Sequence, residues 1–166
     1  MTQYNIIAES QEYTVVAEFD HVATPAEAYQ SEADLEKEFI RLLGEQGYEY
    51  LPIHKEADLI FNLRDQLEKL NHYHFTDNEW EHFFNECIAN KNDDIVAKTA
   101  KIQDDYIQVL KRDTGESQNI KLIDKDNIHN NFVQVINQYV EEGGNYDTRY
   151  DVSILVNGLP LVHIEL

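Results

Sequence analysis

The sequence predicts a single α/β domain over residues 1–166, with a mixed β-sheet flanked by helices and a helical insertion over about residues 55–102. Three observations predict it. Apolar residues recur at helical spacing in residues 31–46, 58–70 and 76–88. Runs rich in β-branched and aromatic residues lie on either side of those helices, at 13–19 and after residue 106. The chain closes on two aliphatic runs that flank Asn157-Gly158, a strong hairpin signal.

Residues 1–11 show little pattern, whereas Tyr13, Val15, Ala17 and Phe19 alternate as a strand does. Residues 21–30 contain Pro25 and read as a connection. A helix follows over 31–46: Ser31 can cap it, acids crowd its first turn, and Leu35, Phe39, Leu42 and Leu43 form its apolar stripe. Gly47 is a natural residue to end it. Residues 48–53 form a short strand, and Pro52 places it at a sheet edge.

In the insertion, Leu59, Leu63, Leu67 and Leu70 mark one side of a helix. Thr76 and Glu79 have capping-box spacing for the next helix, whose apolar residues are Trp80, Phe83, Phe84 and Cys87. Residues 95–102 suit a fourth, short helix. His72 and His74 form a His-x-His pair with no matching Cys or His group at ligand spacing, so zinc is a poor reading. Residues 106–111 and 119–123 read as strands joined around Thr114-Gly115. Residues 132–140 fit both periods: Phe132, Val135, Ile136, Tyr139 and Val140 make a helical stripe, yet the composition favours a strand.

Composition limits the function. A hydrophobic content of 42% argues against disorder. The formal charge of −19 would repel a DNA backbone, because non-specific affinity comes from Lys and Arg neutralising phosphates. Cys87 is the single cysteine, so no internal disulfide forms and a reducing cytoplasm suits the chain. No stretch approaches the roughly 18 apolar residues of a membrane span.

Each strand of the final hairpin carries one acid, Asp151 and Glu165. An acid in an aliphatic strand is costly to bury unless something pairs with it. A two-residue loop would put Asp151 and Glu165 on opposite faces. A three-residue loop with a bulge would pair Val156 with Pro160, Leu155 with Leu161, Ser153 with His163 and Asp151 with Glu165. The second register separates polar from apolar residues almost completely, so it is the one expected. Two carboxylates side by side, with no basic residue between them, make a hard-oxygen site suited to Mg²⁺. The competing reading is a solvated polar face on an edge hairpin.

Residues 149–166, RYDVSILVNGLPLVHIEL, closely resemble the nuclease domain of the restriction (HsdR) subunit of type I restriction-modification enzymes, within the PD-(D/E)xK superfamily. YQSEADLE at 29–36 and LRDQLEKLN at 63–71 agree with the same family. The resemblance implies a restriction-endonuclease-like fold and Mg²⁺-dependent cleavage of double-stranded DNA. It makes residues 132–140 a strand leading into the hairpin. It implies that Asp151 and Glu165 are catalytic and hold the metal, with the Leu166 carbonyl as a further ligand. Glu32 matches the family string and is a candidate additional ligand on the first helix; the alternative is that Glu32 and Glu36 only complement the helix dipole.

In the family a lysine at the second position after the glutamate completes the site, and the sequence ends at Leu166, before that position. The chain is therefore expected to be an N-terminal piece of a longer subunit, folded but inactive alone. ATP would be used only by motor domains elsewhere, and the implied partners are the modification and specificity subunits. The rival from another class is an acidic interaction protein such as a DNA mimic, which the charge alone supports.

Overall fold

A computed structural model describes residues 4–9, 15–19, 31–141 and 148–166. The chain divides into two compact units, residues 1–31 and 32–166. In the first, β1 (Tyr4–Glu9) pairs antiparallel with β2 (Val15–Phe19). β2 matches the expected strand over its described part; Tyr13 lies outside the described residues, as do Pro25 and Gly143-Gly144. β1 corrects the expectation of a patternless start. Its register shifts between Ile6 and Ala8, and the extra residue, Ile7, breaks the two-residue period by which strands are recognised.

The second unit is built on α1 (Glu32–Glu45), β3 (Glu49–Tyr50), α2 (Glu56–Asn71), α3 (Asp77–Phe83), α4 (Ile95–Gln103), a hairpin of β4 (Ile107–Lys111) and β5 (Ser117–Lys121), and then β6 (Val133–Glu141), β7 (Thr148–Val156) and β8 (Leu159–Ile164). Its main sheet has the order β3-β6-β7-β8 and is mixed: β3 runs parallel to β6, and the other pairs are antiparallel. The short β3 is at the edge, where Pro52 placed it.

Leu43 of α1 packs with Val135 and Val152 on one face of this sheet, flanked by Phe39, Ile40, Ile154 and Ile164. The stripe is narrower than the sequence suggested, since Leu35 and Leu42 are exposed. The opposite face carries Ile136, Tyr139 and Leu155, covered by Ile53 and by Leu59 of α2. A third core joins the helical insertion to the β4–β5 hairpin: Leu63, Leu67, Phe75, Trp80, Phe83, Leu110 and Ile120 close around Leu159, the first residue of β8.

Local chemistry ends and starts these helices as expected. Gly47 takes φ +92 after α1, a conformation open to glycine. The Thr76–Glu79 capping box is complete on α3. Glu79 is buried; burial raises its carboxyl pKa, but the amides of Thr76 and Asp113 and the Tyr73 hydroxyl outweigh that and hold it ionised below its ordinary range. After α3 the chain widens into a π-type turn over Phe84–Ile88, closed by Ala89 N–H to the Phe84 carbonyl at 2.7 Å. Phe84 and Cys87 are partly buried against the core of the insertion.

Of the ambiguous residues 132–140, all but Phe132 lie in β6, an inner strand of the sheet. Their helical look has a physical origin. Val135 and Ile136 are consecutive and both buried, one against α1 and the other on the α2 side. Strands covered on both faces lose the two-residue period. Gln138 then adopts φ +52, and Tyr139 packs with Ile136. The spacing 135, 136, 139 imitates a helix.

The final hairpin forms, but its loop differs from expectation. Asn157 and Gly158 both take positive φ, +52 and +80, and Val156 pairs with Leu159 across a two-residue turn. Leu155 then faces Pro160 rather than Leu161. The register shifts so that Ile154 meets Val162, leaving Leu161 as an extra residue in β8. From there Ser153 faces His163, as expected. The one-residue offset assigned to the loop is made two residues later by a bulge.

What fixes the short turn is tertiary. Asn157 is fully buried; its amide nitrogen donates to the Leu122 carbonyl at 3.0 Å and to Asn131 Oδ1 at 2.8 Å, and its Oδ1 accepts from Phe132 N–H at 2.8 Å. A Cβ on Gly158 would lie 2.6 Å from the Leu63 Cα. Gly158→Ala should therefore cost about 2–4 kcal/mol, combining left-handed strain with a clash against helix backbone. Urea unfolding would measure it, and a midpoint equal to that of the parent would refute the contact.

The loop behind Asn157 contains Asp124, whose carboxyl is brought down to about 2 by hydrogen bonds from Asn130 and the Asn127 amide, against the opposing effect of burial. A depressed carboxyl stabilises the fold fully above its ordinary value of 3.8 and loses that contribution as pH falls towards about 2. Asp124→Asn should flatten the acid limb of a stability–pH profile in that window; an unchanged slope would contradict the assignment.

Candidate metal and nuclease site

Past the bulge, β7 and β8 run in register through Ser153–His163 and Val152–Ile164. One step further Asp151 lies across from Glu165, the first residue beyond the paired part of β8. Asp151 is half-buried, and its Oδ2 accepts the Leu166 N–H at 2.9 Å. Glu165 and Leu166 are exposed. The fold thus gathers Asp151, Glu165 and the Leu166 backbone at the end of the hairpin. Glu32 sits in the first turn of α1 and is exposed.

The acid of α1 that reaches the sheet is Glu36, one turn further on. Its Oε1 accepts from Asn137 Nδ2 at 2.5 Å, and its Oε2 accepts from Gln138 Nε2. Gln138 is the residue in the left-handed region, and the ladder pairs Asn137 with Val152 and Tyr139 with Tyr150, so Gln138 is level with Asp151. A non-glycine residue held there carries roughly 1–3 kcal/mol of strain.

The irregularity extends to β7. Ser153 Oγ meets His163 Nδ1 at 2.8 Å, and the Tyr150 ring stacks on the His163 ring at 4.0 Å between centroids. Tyr150 and Ser153 are three residues apart, yet both reach the same imidazole. Two-residue alternation therefore breaks between them, at Asp151 and Val152. Tyr150, Ser153 and His163 also line a cavity of about 190 Å³ beside Glu56 of α2.

Among the described residues no group of three or more His, Cys, Asp or Glu side chains stands ready as a metal cage. Two carboxylates and a backbone carbonyl are instead a partial set of hard oxygen donors. That suits Mg²⁺, which keeps several waters and takes only one or two carboxylates. The donor chemistry at Asp151, Glu165 and Leu166 fits this ion. His72 ends α2 in a left-handed conformation, and His74 bonds Glu68 at 2.7 Å. Arg41, Arg64, Lys69, Lys101, Arg112 and Lys121 are each engaged by carboxylates, which leaves fewer cations to meet a phosphate backbone. Among the described residues no helix is long and apolar enough to cross a membrane.

The sequence pointed to the hairpin acids, and the register supports their proximity. It did not point to Gln138 or Asn137, which sit at a backbone irregularity that no periodic pattern encodes. Glu36 was visible only as one of several acids on α1.

Residues 29–166 match the family model described as type I restriction enzyme R protein N terminus. The chain is 45% identical over 161 residues to the type I restriction enzyme EcoprrI endonuclease subunit of Escherichia coli, covering 96% of this chain and 51% of that protein. It is 38% identical to the type I restriction enzyme SsaAORF53P endonuclease subunit of Staphylococcus saprophyticus and 36% identical to the SauMSSORF170P subunit of Staphylococcus aureus (strain MSSA476). Those matches cover 83% and 84% of this chain but 15% of each relative.

The Asp151–Leu166 contact is directly testable. Asp151→Ala should speed hydrogen exchange of the Leu166 amide by roughly tenfold, the equivalent of one charge-assisted hydrogen bond discounted for exposure. Unchanged exchange, followed by NMR, would show that the carboxylate does not hold this strand end.

Proposed function

The chain belongs to the type I restriction enzyme R protein N-terminal family, and from that premise we propose that the end of its β7–β8 hairpin is the centre of a Mg²⁺-dependent endonuclease acting on double-stranded DNA. The observation that carries this reading is the register that brings Asp151 across from Glu165, with the Asp151 carboxylate bonded to the Leu166 amide.

In this reading Asp151, Glu165 and the Leu166 carbonyl hold the metal. Bound there, the ion would polarise a phosphoryl oxygen and favour a deprotonated water. The chain's own residues supply binding and orientation. Asp151 is anchored by the Leu166 N–H, which ties the two strand ends that carry the donors. The resemblance adds a lysine at the second position after Glu165, which would orient the attacking water and stabilise charge on the phosphate. Glu32 is exposed in the first turn of α1, and its place in the site comes from the family string.

The chain spans about half of one curated relative and 15% of two others. ATP-driven translocation, the modification and specificity subunits as partners and a cytoplasmic location belong to the proposal for the whole protein. A charge of −19 suits that division of labour, because capture of the duplex would fall to other domains. The acidic-mimic alternative has this charge in its favour and nothing from the hairpin geometry.

In the full-length protein, Asp151→Ala and Glu165→Ala should each reduce cleavage of supercoiled plasmid by more than about 10²-fold while sparing ATP hydrolysis, by analogy with removal of one transition-state-stabilising group. Cleavage at the parental rate in either variant would make these acids structural.

A further inference from the structure

The kink in β6 is placed where the proposed nuclease site needs its aim set, and this inference rests on that site reading. Gln138 takes φ +52 in the middle of a sheet, level with Asp151 on the neighbouring strand. Glutamine has no intrinsic preference for the left-handed region, so something must hold it there. Glu36 does so. One carboxylate receives the side-chain amides of both Asn137 and Gln138, and consecutive residues of a regular strand cannot present both side chains to one group on one face. Asn137 is fixed further by the Tyr50 hydroxyl, which donates to its Oδ1 at 2.9 Å.

The consequence reaches β7 through the ladder. Because Asn137 and Gln138 both turn to Glu36, Ile136 and Tyr139 follow one another on the opposite side and pack in one cluster. Their partners, Ser153 and Tyr150, do likewise and meet at His163. The break in alternation that this imposes falls on Asp151 and Val152. Val152 is buried against Leu43 of α1, so the remaining freedom is at Asp151. Bulges beside active sites commonly re-aim a side chain in this way.

We propose that Gln138, clamped by Glu36, is a positioning residue that directs the Asp151 carboxylate towards the metal and the Leu166 strand end. Neither Glu36 nor Gln138 is assigned contact with the metal. Their effect is to keep one ligand preorganised, and loss of such support typically lowers metal affinity by about 10–100-fold.

The test uses full-length protein without nucleotide and Mn²⁺ as the probe, with free ion counted by electron paramagnetic resonance. Four variants are compared with the parent: Asp151→Ala, Glu36→Gln, Gln138→Gly and Gln138→Asn. Gln138→Gly accepts the left-handed backbone but lacks the amide that Glu36 holds. Gln138→Asn keeps an amide on a residue that tolerates this conformation. Asp151→Ala should remove the hairpin site. Glu36→Gln and Gln138→Gly should weaken it by about tenfold or more with melting temperatures within a few degrees of the parent, and Gln138→Asn should recover part of the affinity. Raising Mn²⁺ should restore plasmid cleavage in the weakened variants, because positioning rather than chemistry is impaired.

Parental affinity in Glu36→Gln and Gln138→Gly, with the site lost in Asp151→Ala, would overturn the positioning role and leave the site intact. Parental affinity in Asp151→Ala as well would instead remove the site reading. Weakened binding in Glu36→Gln alone would make Glu36 a direct ligand and would also overturn the proposal. Equal losses of affinity and melting temperature in all three supporting variants would reduce the clamp to a folding element.

Discussion

The contact on which the second unit depends is the seating of the Asn157–Gly158 turn against the backbone of α2. A glycine is required because the chain there approaches the Leu63 Cα too closely for any side chain, and because φ is +80. Asparagine fits the preceding position because it tolerates the left-handed region and brings two donors and an acceptor. All are used, and the residue is fully buried. The loop from Leu122 to Phe132 and the hairpin thus share one hydrogen-bonded node, and Leu159 carries the hairpin into the core of the helical insertion. The insertion is consequently a support for the strands that bear the candidate site.

A second constraint runs through β6. Being covered on both faces, it must satisfy its polar side chains internally. Gln134 is buried and exchanges amide hydrogen bonds with Asn62 of α2, while its amide also reaches Glu49 of β3. Gln66 donates to the same Asn62 carbonyl. A buried amide network contributes little net stability but penalises misregister heavily, since any slip leaves several polar groups unpaired. The strand that carries the Gln138 kink is therefore locked in register from its other end.

Legibility in the sequence followed the range of the forces involved. Features decided within a few residues could be read directly: the capping box at Thr76 and Glu79, the helix end at Gly47, the turn pair Asn157-Gly158. Features decided by packing were read in part. Pro52 indicated an edge strand, but Leu35 and Leu42 looked as apolar as Leu43 and are exposed. Features decided by backbone irregularity could not be read. Leu161 and Ile7 are extra residues in their strands, and Gln138 has the composition of any polar strand residue. The bulge at Leu161 produced the same offset as the three-residue loop that the sequence suggested, so Ser153 still faces His163.

For the proposed nuclease the weakest attribute is charge, and part of the chain's positive charge is engaged within the fold. Acids engage at least six of the 13 basic side chains, so nearly half of the cations are spent on intramolecular pairs. Exposed pairs of that kind add little to stability, so their main effect is to remove cations that would otherwise meet phosphate. Under the proposed function, low intrinsic affinity is then a form of control: the hairpin can be fully assembled and still spare DNA until the rest of the enzyme delivers a strand. Such a site would gain little from surface charge and would depend on aim, the part that the proposed Glu36–Gln138 clamp would play beside Asp151.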